Sequence, residues 1–533
     1  MQIKRKFPIA VAVIGTVMMV AALLARVSAQ EIDDDVMLLQ VDPEVALQVQ
    51  HDVSPPLSTI ARPSKRGAQH QVALHHLSIT QPDGEGDLAL QLTPGAKLAI
   101  SNGLNFDGLG SGKFGFNADA APPDPNGAVG ETQFVEWVNS SFAVFDKTTG
   151  ALVSGPSAGN SLWSGFGGGC ETNNDGAPIV EYDKAANRWV MSQFSISSKP
   201  YLQCVAVSTT ADATGTWYRY SFLLGAAFPD YPKMAVWPDG YYLSWNQFGA
   251  TGFTGAKVCA LDRDSMLAGS DAISECFETS ASFGGLLPSD LDGANSPPSG
   301  SPAYYLNIAG GALNLWKFHS DFTAPHNATF IGPTSISVAS YVPACNGGAC
   351  IPQPGTSQQL DSLGDRLMYR LAYRNFGDHD SIVANHAVNL GTKNNTHVGV
   401  RWYEVRDPGG TPSLYQQGTF SPDSASRWMG SIAMDKVGDI ALGYSVSSVQ
   451  IHPGIRFTGR AATDSLGTMG SEATVIAGTG SQEKGLNRWG DYTSMAIDPV
   501  DDCTFWYTNE YLPANGSFNW RTRIASFKFS ACQ

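Results

Sequence analysis

Arg427-Trp-Met-Gly-Ser-Ile-Ala-Met-Asp-Lys-Val-Gly-Asp-Ile-Ala-Leu-Gly-Tyr444 holds two short apolar runs on either side of Asp435-Lys-Val-Gly-Asp439. An Asp- and Gly-rich turn between two runs of strand-forming residues reads as a β-hairpin. The same plan returns in Asp230-Tyr-Pro-Lys-Met-Ala-Val-Trp-Pro-Asp-Gly-Tyr-Tyr-Leu-Ser-Trp-Asn246 and in Arg488-Trp-Gly-Asp-Tyr-Thr-Ser-Met-Ala-Ile-Asp-Pro-Val-Asp-Asp-Cys-Thr-Phe-Trp-Tyr507. Weaker copies start near Asp124, Asp175, Asp292 and Asp365. The leads recur at roughly 60 residues, which suits a propeller blade of about four strands with enlarged loops. The expected fold is all-β: a seven-bladed β-propeller over residues 113–533. Six or eight blades remain as alternatives, because the Asp292 and Asp365 copies are degenerate. A β-sandwich is not expected to repeat one hairpin at such a period.

The chain has 533 residues, and its 33 Lys+Arg against 48 Asp+Glu give a net charge of -15. That balance argues against a nucleic-acid binder. With 43% hydrophobic and only 15% charged residues the chain is too apolar to be disordered. Lys4, Arg5 and Lys6 precede an apolar run from Ile9 to Ala25, and Val27-Ser28-Ala29 offers small residues at a cleavage site. Residues 1–29 therefore read as a signal peptide. Its removal takes away Lys4, Arg5, Lys6 and Arg26 and no acidic residue, so the mature chain is more acidic still. The expectation is a secreted protein, extracellular or periplasmic, monomeric and without affinity for anionic membranes. Residues 30–112 contain Asp33-Asp34-Asp35, Pro55-Pro56 and Arg62-Pro63-Ser64-Lys65-Arg66-Gly67 but no cysteine or tryptophan. They read as a poorly structured leader or pro-segment, with one short helix near Val36 to Val49 and no part in the propeller core.

The eight cysteines contain no CxxC and lack metal spacing. In an exported chain they read as disulfides. Short loops favour sequential pairing: Cys170 with Cys204, Cys259 with Cys276, Cys345 with Cys350, and Cys503 with Cys532.

Thr210-Ala-Asp212-Ala-Thr-Gly215-Thr-Trp217 and Ala462-Thr-Asp464-Ser-Leu-Gly467-Thr-Met469 share the spacing Asp-x-x-Gly-Thr-apolar. In such a turn the Asp caps the backbone, the Gly takes a positive φ and the last residue packs beneath. These turns resemble the Asp-box of sialidase-type propellers, although the Gly is displaced by one position and the second copy lacks the hydroxyl and the Trp. Arg488 to Tyr511 looks like a phrase from secreted bacterial propeller-like proteins of unassigned function. Both resemblances imply a fold and no activity.

Equivalent hairpin ends of a propeller point toward one mouth of its channel. Asp124, Asp175, Asp230, Asp292, Asp365, Arg427, Arg488 and Asp491 are therefore expected to converge, with Trp237, Trp428, Trp489 and Tyr492 as aromatic walls. Aromatic faces stack on sugar rings, and paired carboxylates serve glycosidic cleavage. The functional expectation is a glycan-active protein acting as a glycoside hydrolase. Asp124, Asp230 and Asp491 would be its acid, base or orienting groups, and Arg370, Arg427 and Arg488 would position substrate. The rival reading is a non-catalytic propeller that binds a glycan or protein through the same mouth. Arg366, Arg370 and Arg374 recur every four residues, which on one strand places them on one face, there to pair with carboxylates or bind a carboxylated ligand. His379 and His386 are candidates for a base or a metal ligand. No cofactor is indicated; the Asp-Gly turns at Asp124, Asp175 and Asp290 offer the hard oxygens calcium prefers, without completing an EF-hand. Gly165 to Gly169 lacks a Walker lysine. Ser157, in Gly155-Pro-Ser-Ala-Gly159, sits among turn formers rather than at a strand-to-helix elbow.

Overall fold

The computed structural model describes residues 42–63, 67–73, 75–78, 86–391 and 397–533. The signal peptide expected at residues 1–29 lies outside the described residues. Among those described the fold is all-β, with seven antiparallel meanders following one another along the chain. Their first strands are Asn126–Val129, Ile179–Asp183, Phe228–Val236, Leu287–Asp292, Leu371–Asn375, Ser426–Met434 and Ser494–Ile497. Each first strand packs beside the next, and the seventh packs beside the first.

Polar ties join these inner strands. Asn126 accepts from the Val180 amide at 2.6 Å, and Asp183 at the end of the second inner strand accepts at 3.0 Å from the hydroxyl of Tyr241 in the second strand of the third meander. Asp290 accepts from the Val236 amide at 2.8 Å, and the fourth inner strand pairs in parallel with the fifth from Ser289 to Asp292. Arg374 reaches the Met434 carbonyl at 3.1 Å, Ser431 accepts from the Met495 amide at 3.0 Å, and Ser494 donates to the Gly127 carbonyl at 2.7 Å. These bonds explain why so many polar residues are tolerated at buried inner positions.

Each meander is covered on both faces by its neighbours, so its strands do not alternate between apolar and polar. Ser426–Met434 and Ile440–Ser447 are buried at every position. Small residues alternate with large ones there because adjacent sheets come close: a Cβ on Gly443 would stand 2.4 Å from the Tyr507 ring. The hairpin turn between these strands is the one expected, with Asp435 accepting from the amides of Val437 and Asp439 at 3.0 Å each and Gly438 at φ 88°. In the Asp-box-like turns, Asp212 accepts from Thr214 and Trp217 is fully buried, while Asp464 accepts from the Ala461 amide above a buried Met469. Gly467 has the expected positive φ, 72°, and Gly215 does not.

Residues 42–112 correct the expectation of a loose leader. Glu44–Leu47 is a strand rather than part of a helix and extends the third meander, and Gln50–Val53 extends the second. Leu90–Gln91 joins the fifth, and Ile100–Gly110 forms the outermost strand of the seventh. A segment without Trp or Cys still contributes here because strand addition needs backbone donors and acceptors more than side chains.

All four disulfides pair sequentially as expected: Cys170–Cys204, Cys259–Cys276, Cys345–Cys350 and Cys503–Cys532. Cys503 and Cys532 fasten the seventh meander to the C-terminus. Replacing both with serine is expected to cost about 3 kcal/mol by the loop-closure argument, read as a lower melting temperature of the non-reduced protein. No helix among the described residues is long and apolar enough to cross a membrane.

Glu136 lies where the two ends of the ring meet. It accepts from the Leu109 amide at 2.7 Å and the Thr508 hydroxyl at 2.7 Å. Burial pushes its carboxyl up to about 7. A raised acid stabilises the fold below its unfolded value and loses that contribution as pH rises through the folded value. The loss is about 3 kcal/mol between roughly pH 4.5 and pH 7. Glu136→Gln is therefore expected to melt above the wild type at pH 8 and with it at pH 4.5; coincident curves at both pH values would contradict this.

Candidate functional site

Six of the residues expected at the mouth meet at the starts of the inner strands. Asp124, Asp175, Asp230, Arg488, Asp491 and Tyr492 line one small cavity of about 30 Å³, together with Tyr231, Arg366, Val72 and His75. The backbone there repeats a left-handed residue: Asp124 (φ 49°), Ala177 (φ 47°), Tyr231 (φ 57°), Met429 (φ 51°) and Asp491 (φ 62°). Each non-glycine residue in that region costs on the order of 1 kcal/mol, and such conformations cluster at functional sites.

The carboxylates differ in what holds them. Asp491 is 2.7 Å from Arg488, whose other arm reaches Asp361 at 2.6 Å. Asp365 accepts from Arg366 at 2.7 Å and from the Leu77 amide at 2.8 Å. The Asp365 carboxyl would be raised by burial, but Arg366 overrides this and holds it at about 2. Asp175 accepts from the amides of Ile196 and Ser197 and caps a turn. Among the described residues no arginine lies within ion-pair distance of Asp230, whose Oδ1 is 3.5 Å from His75 Nδ1. Asp124 is 5% exposed, and its Oδ1 has no hydrogen-bond partner among the described residues. Burial, and after it the charge of Asp491, push the Asp124 carboxyl well above the usual range.

Beneath the carboxylates lies a buried lysine. Lys233 Nζ sits 3.5 Å from the ring centre of Tyr231 and 4.0 Å from that of Tyr492, and donates to the Pro232 carbonyl at 2.9 Å. Burial pulls its pKa down to about 7. Tyr231 donates to the Asp491 carbonyl and Tyr492 to the Pro178 carbonyl, each at 2.9 Å, so both rings are fixed.

The remaining expected residues lie elsewhere. Asp292 stands at the far end of its inner strand, paired with Arg370 at 2.6 Å and Lys184 at 2.7 Å. Trp237 is at that same end, lining a cleft of about 260 Å³ with Lys184 and Arg263. Arg427 turns outward to Asp423 and Glu472, both at 2.8 Å, with a side chain that is fully buried. Trp428 and Trp489 lie 5.8 Å apart in a tilted pair in the core, and Trp489 donates to Ser445. None of these five lines the small cavity. Gly490 makes room for Met429 rather than a ligand, since a Cβ there would stand 2.6 Å from the Met429 side chain.

The three arginines do not share one strand face. Only Arg374 lies in the strand Leu371–Asn375, and the three meet different carboxylates instead. Arg366 pairs with Asp365 at the mouth, Arg370 with Asp290 and Asp292 midway, and Arg374 with Asp502 at the far end. Each meets a carboxylate, and Arg370 is held by Asp290, Asp292 and the Met495 carbonyl. His386 is buried against Tyr403 and pushed down to about 3, first by burial and then by Arg401, and His379 pairs with Asp378. Neither reaches the mouth. Ser157 lies within the strand Leu152–Ala158, not at an elbow.

Sequence reasoning missed Tyr231, Lys233, Arg366 and His75 as mouth residues. The first two sit beside Asp230 and Arg366 sits beside Asp365, so extending each lead by a few residues finds them. His75 had no such signal.

No protein-family model matches the chain, and no curated protein does. Among solved structures, the polysaccharide lyase Uly1 is 11% identical, with 82% of this chain and 100% of that one covered and a TM-score of 0.39. The Hadza microbial sialidase Hz136 is 11% identical over 77% of this chain and 75% of its own, at 0.34. A protein of unknown function from Dyadobacter fermentans is 10% identical over 81% and 99%, at 0.35. At such low scores the chemistry rests on the side chains themselves.

Proposed function

We propose that the chain is a secreted, glycan-active protein whose seven meanders are the blades of a β-propeller and whose site is the carboxylate mouth. The observation that carries this reading is Asp124: a buried carboxyl with an oxygen unpartnered among the described residues, on the same cavity as Asp230, its pKa pushed up by burial. Two carboxyl groups in unlike environments are what acid and base roles require. Asp124 is the proton donor toward a glycosidic oxygen, and Asp230 is the base or nucleophile. Asp491, tied to Arg488, is an orienting group whose charge helps keep the Asp124 proton in place. Arg488, Arg366 and Tyr492 frame the site. The four disulfides suit the oxidising compartment of an exported protein.

The second reading is a non-catalytic binding module. It is favoured by Asp491 and Asp365, each of which is locked to an arginine. A released-sugar screen of the purified protein on a polysaccharide panel separates the two. Hydrolysis that Asp230→Asn reduces by about a hundredfold or more supports catalysis. Retention of a polysaccharide on the protein without any product, equal in wild type and Asp230→Asn, supports binding alone.

A further inference from the structure

We propose that residues 70–73 and 75–78 belong to an intramolecular strap that fills the mouth in place of its ligand and leaves when the ligand enters. This rests on the glycan reading of the same mouth and names what must move for that reading to operate. The cavity of about 30 Å³ holds about one water. A sugar ring does not fit while the strap is in place.

The strap enters as a short strand, His70–Gln71, parallel to Ala120–Ala121, with the Val72 amide on the Ala121 carbonyl at 2.8 Å. It then crosses the inner-strand ends. Arg488 donates to the Val72 carbonyl at 2.9 Å and Arg366 to the His75 carbonyl at 2.8 Å. The Leu77 amide donates to Asp365 at 2.8 Å, and its side chain rests where Cβ atoms on Gly284 and Gly285 would stand 3.0 and 3.1 Å away. His75 meets Asp230, and its ring lies 4.7 Å from Phe248 and 5.3 Å from Phe228. His76 stands 3.6 Å from Asp365.

The burial pattern separates a cover from a core. Val72, His75 and Leu77 are half-buried and Ala73, His76 and Ser78 are exposed, whereas Asp365, Arg366 and Arg488 beneath them are buried. A segment with so few buried apolar contacts opens locally at far less cost than the sheets.

The strap also shows what would replace it. It offers carbonyl oxygens to Arg366 and Arg488, a donor to Asp365, and a flat ring to Asp230 and the phenylalanines. A sugar presents the same set, with ring and hydroxyl oxygens as acceptors, hydroxyls as donors and a C–H face for the aromatic shelf. Protonation tightens the strap. Asp230 holds His75 above the usual imidazole value, against burial and the charges of Arg366 and Arg488. Asp365 does the same for His76, helped by Asp361 and opposed by burial and Arg366. The grip is complete at acid pH and is lost as pH rises through the raised imidazole values.

Hydrogen exchange on the whole wild-type chain is the first test. The Leu77 amide is expected to exchange at least about tenfold faster than those of Val236 and Ile432, with the gap widening from about pH 6 to pH 8. Exchange of Leu77 only together with those strands would overturn the strap. In the second test, His75→Ala/His76→Ala is expected to keep the wild-type melting temperature and to bind a synthetic peptide of residues 68–78, while the wild type does not. Failure of both proteins to bind that peptide, or a cooperative loss of the whole fold in the variant, would also overturn it. Polysaccharide turnover is scored separately. Peptide binding without turnover in the opened variant keeps the strap and removes the glycan reading, and faster turnover that the peptide inhibits supports both.

Discussion

A chain beginning at Lys113 is expected to lose its cooperative thermal transition. Ile100–Gly110 is the fourth strand of the seventh meander and pairs with Arg521–Phe529 along most of its length. Its removal bares that strand's hydrogen-bonding edge, a template for aggregation. It also takes the Leu109 amide from the buried Glu136. Asp87, which pairs with the fully buried Arg401 and accepts from Thr419, would go with it. Leaving Arg401 uncompensated costs about 3 to 5 kcal/mol by itself, a large part of the roughly 5 to 15 kcal/mol that holds a domain folded. Calorimetry and near-ultraviolet circular dichroism on chains starting at Lys113 and at Asp42 check this. A sharp transition in the shorter chain would show that the outer strand is dispensable.

Arg370→Leu is the second large effect. Arg370 is 3% exposed and bridges Asp290 and Asp292 while also donating to the Met495 carbonyl at 3.0 Å. Removing it leaves two buried carboxylates short of their cation, with Glu181 nearby, at about 3 to 5 kcal/mol. The pH dependence carries the signature. Burial alone would raise the Asp292 carboxyl, but Arg370, followed by Lys184 and Arg374, overrides it and holds it low. In the wild type that contribution is present at neutral pH and is lost as pH falls through the lowered value. In the variant Asp292 keeps Lys184 but loses the largest charge that opposes burial, so its carboxyl moves up and less of that contribution remains at neutral pH. Melting temperatures at about pH 5 and pH 8 should therefore shift in favour of acid relative to the wild type. Adding Asp290→Asn and Asp292→Asn to Arg370→Leu should recover part of the loss. A variant that melts like the wild type at both pH values would contradict the pairing.

What could be read from the sequence was what depends on near neighbours. The hairpin at Arg427 to Tyr444 was legible because its turn chemistry and both strands lie within one stretch, and the disulfides because each closes a short loop. Asp124, Asp230 and Asp491 were found because a repeat places equivalent strand starts together. The same logic misplaced Asp292, whose Asp-Gly pair imitates a lead although the mouth end of its strand is Gly284-Gly285. Arg427 and Trp428 look like Arg488 and Trp489, yet Glu472, in the outer part of the same meander, turns Arg427 away. The strap was invisible for another reason. An extended segment has no periodicity, and the partners of His75 and Val72 are Asp230, Arg366 and Arg488, which only the folded ring brings near.

One paired measurement tests Asp124 as the acid of a working site: sugar release and melting temperature of Asp124→Asn beside the wild type, on a polysaccharide the wild type cleaves. Asparagine has the size of the neutral carboxyl, the form that burial favours at this position, so the fold should not lose stability by the change. The account predicts a melting temperature equal to or above that of the wild type and turnover lower by roughly a hundredfold to ten-thousandfold. Undiminished turnover, or a fall in turnover matched by a collapse in melting temperature, would contradict it.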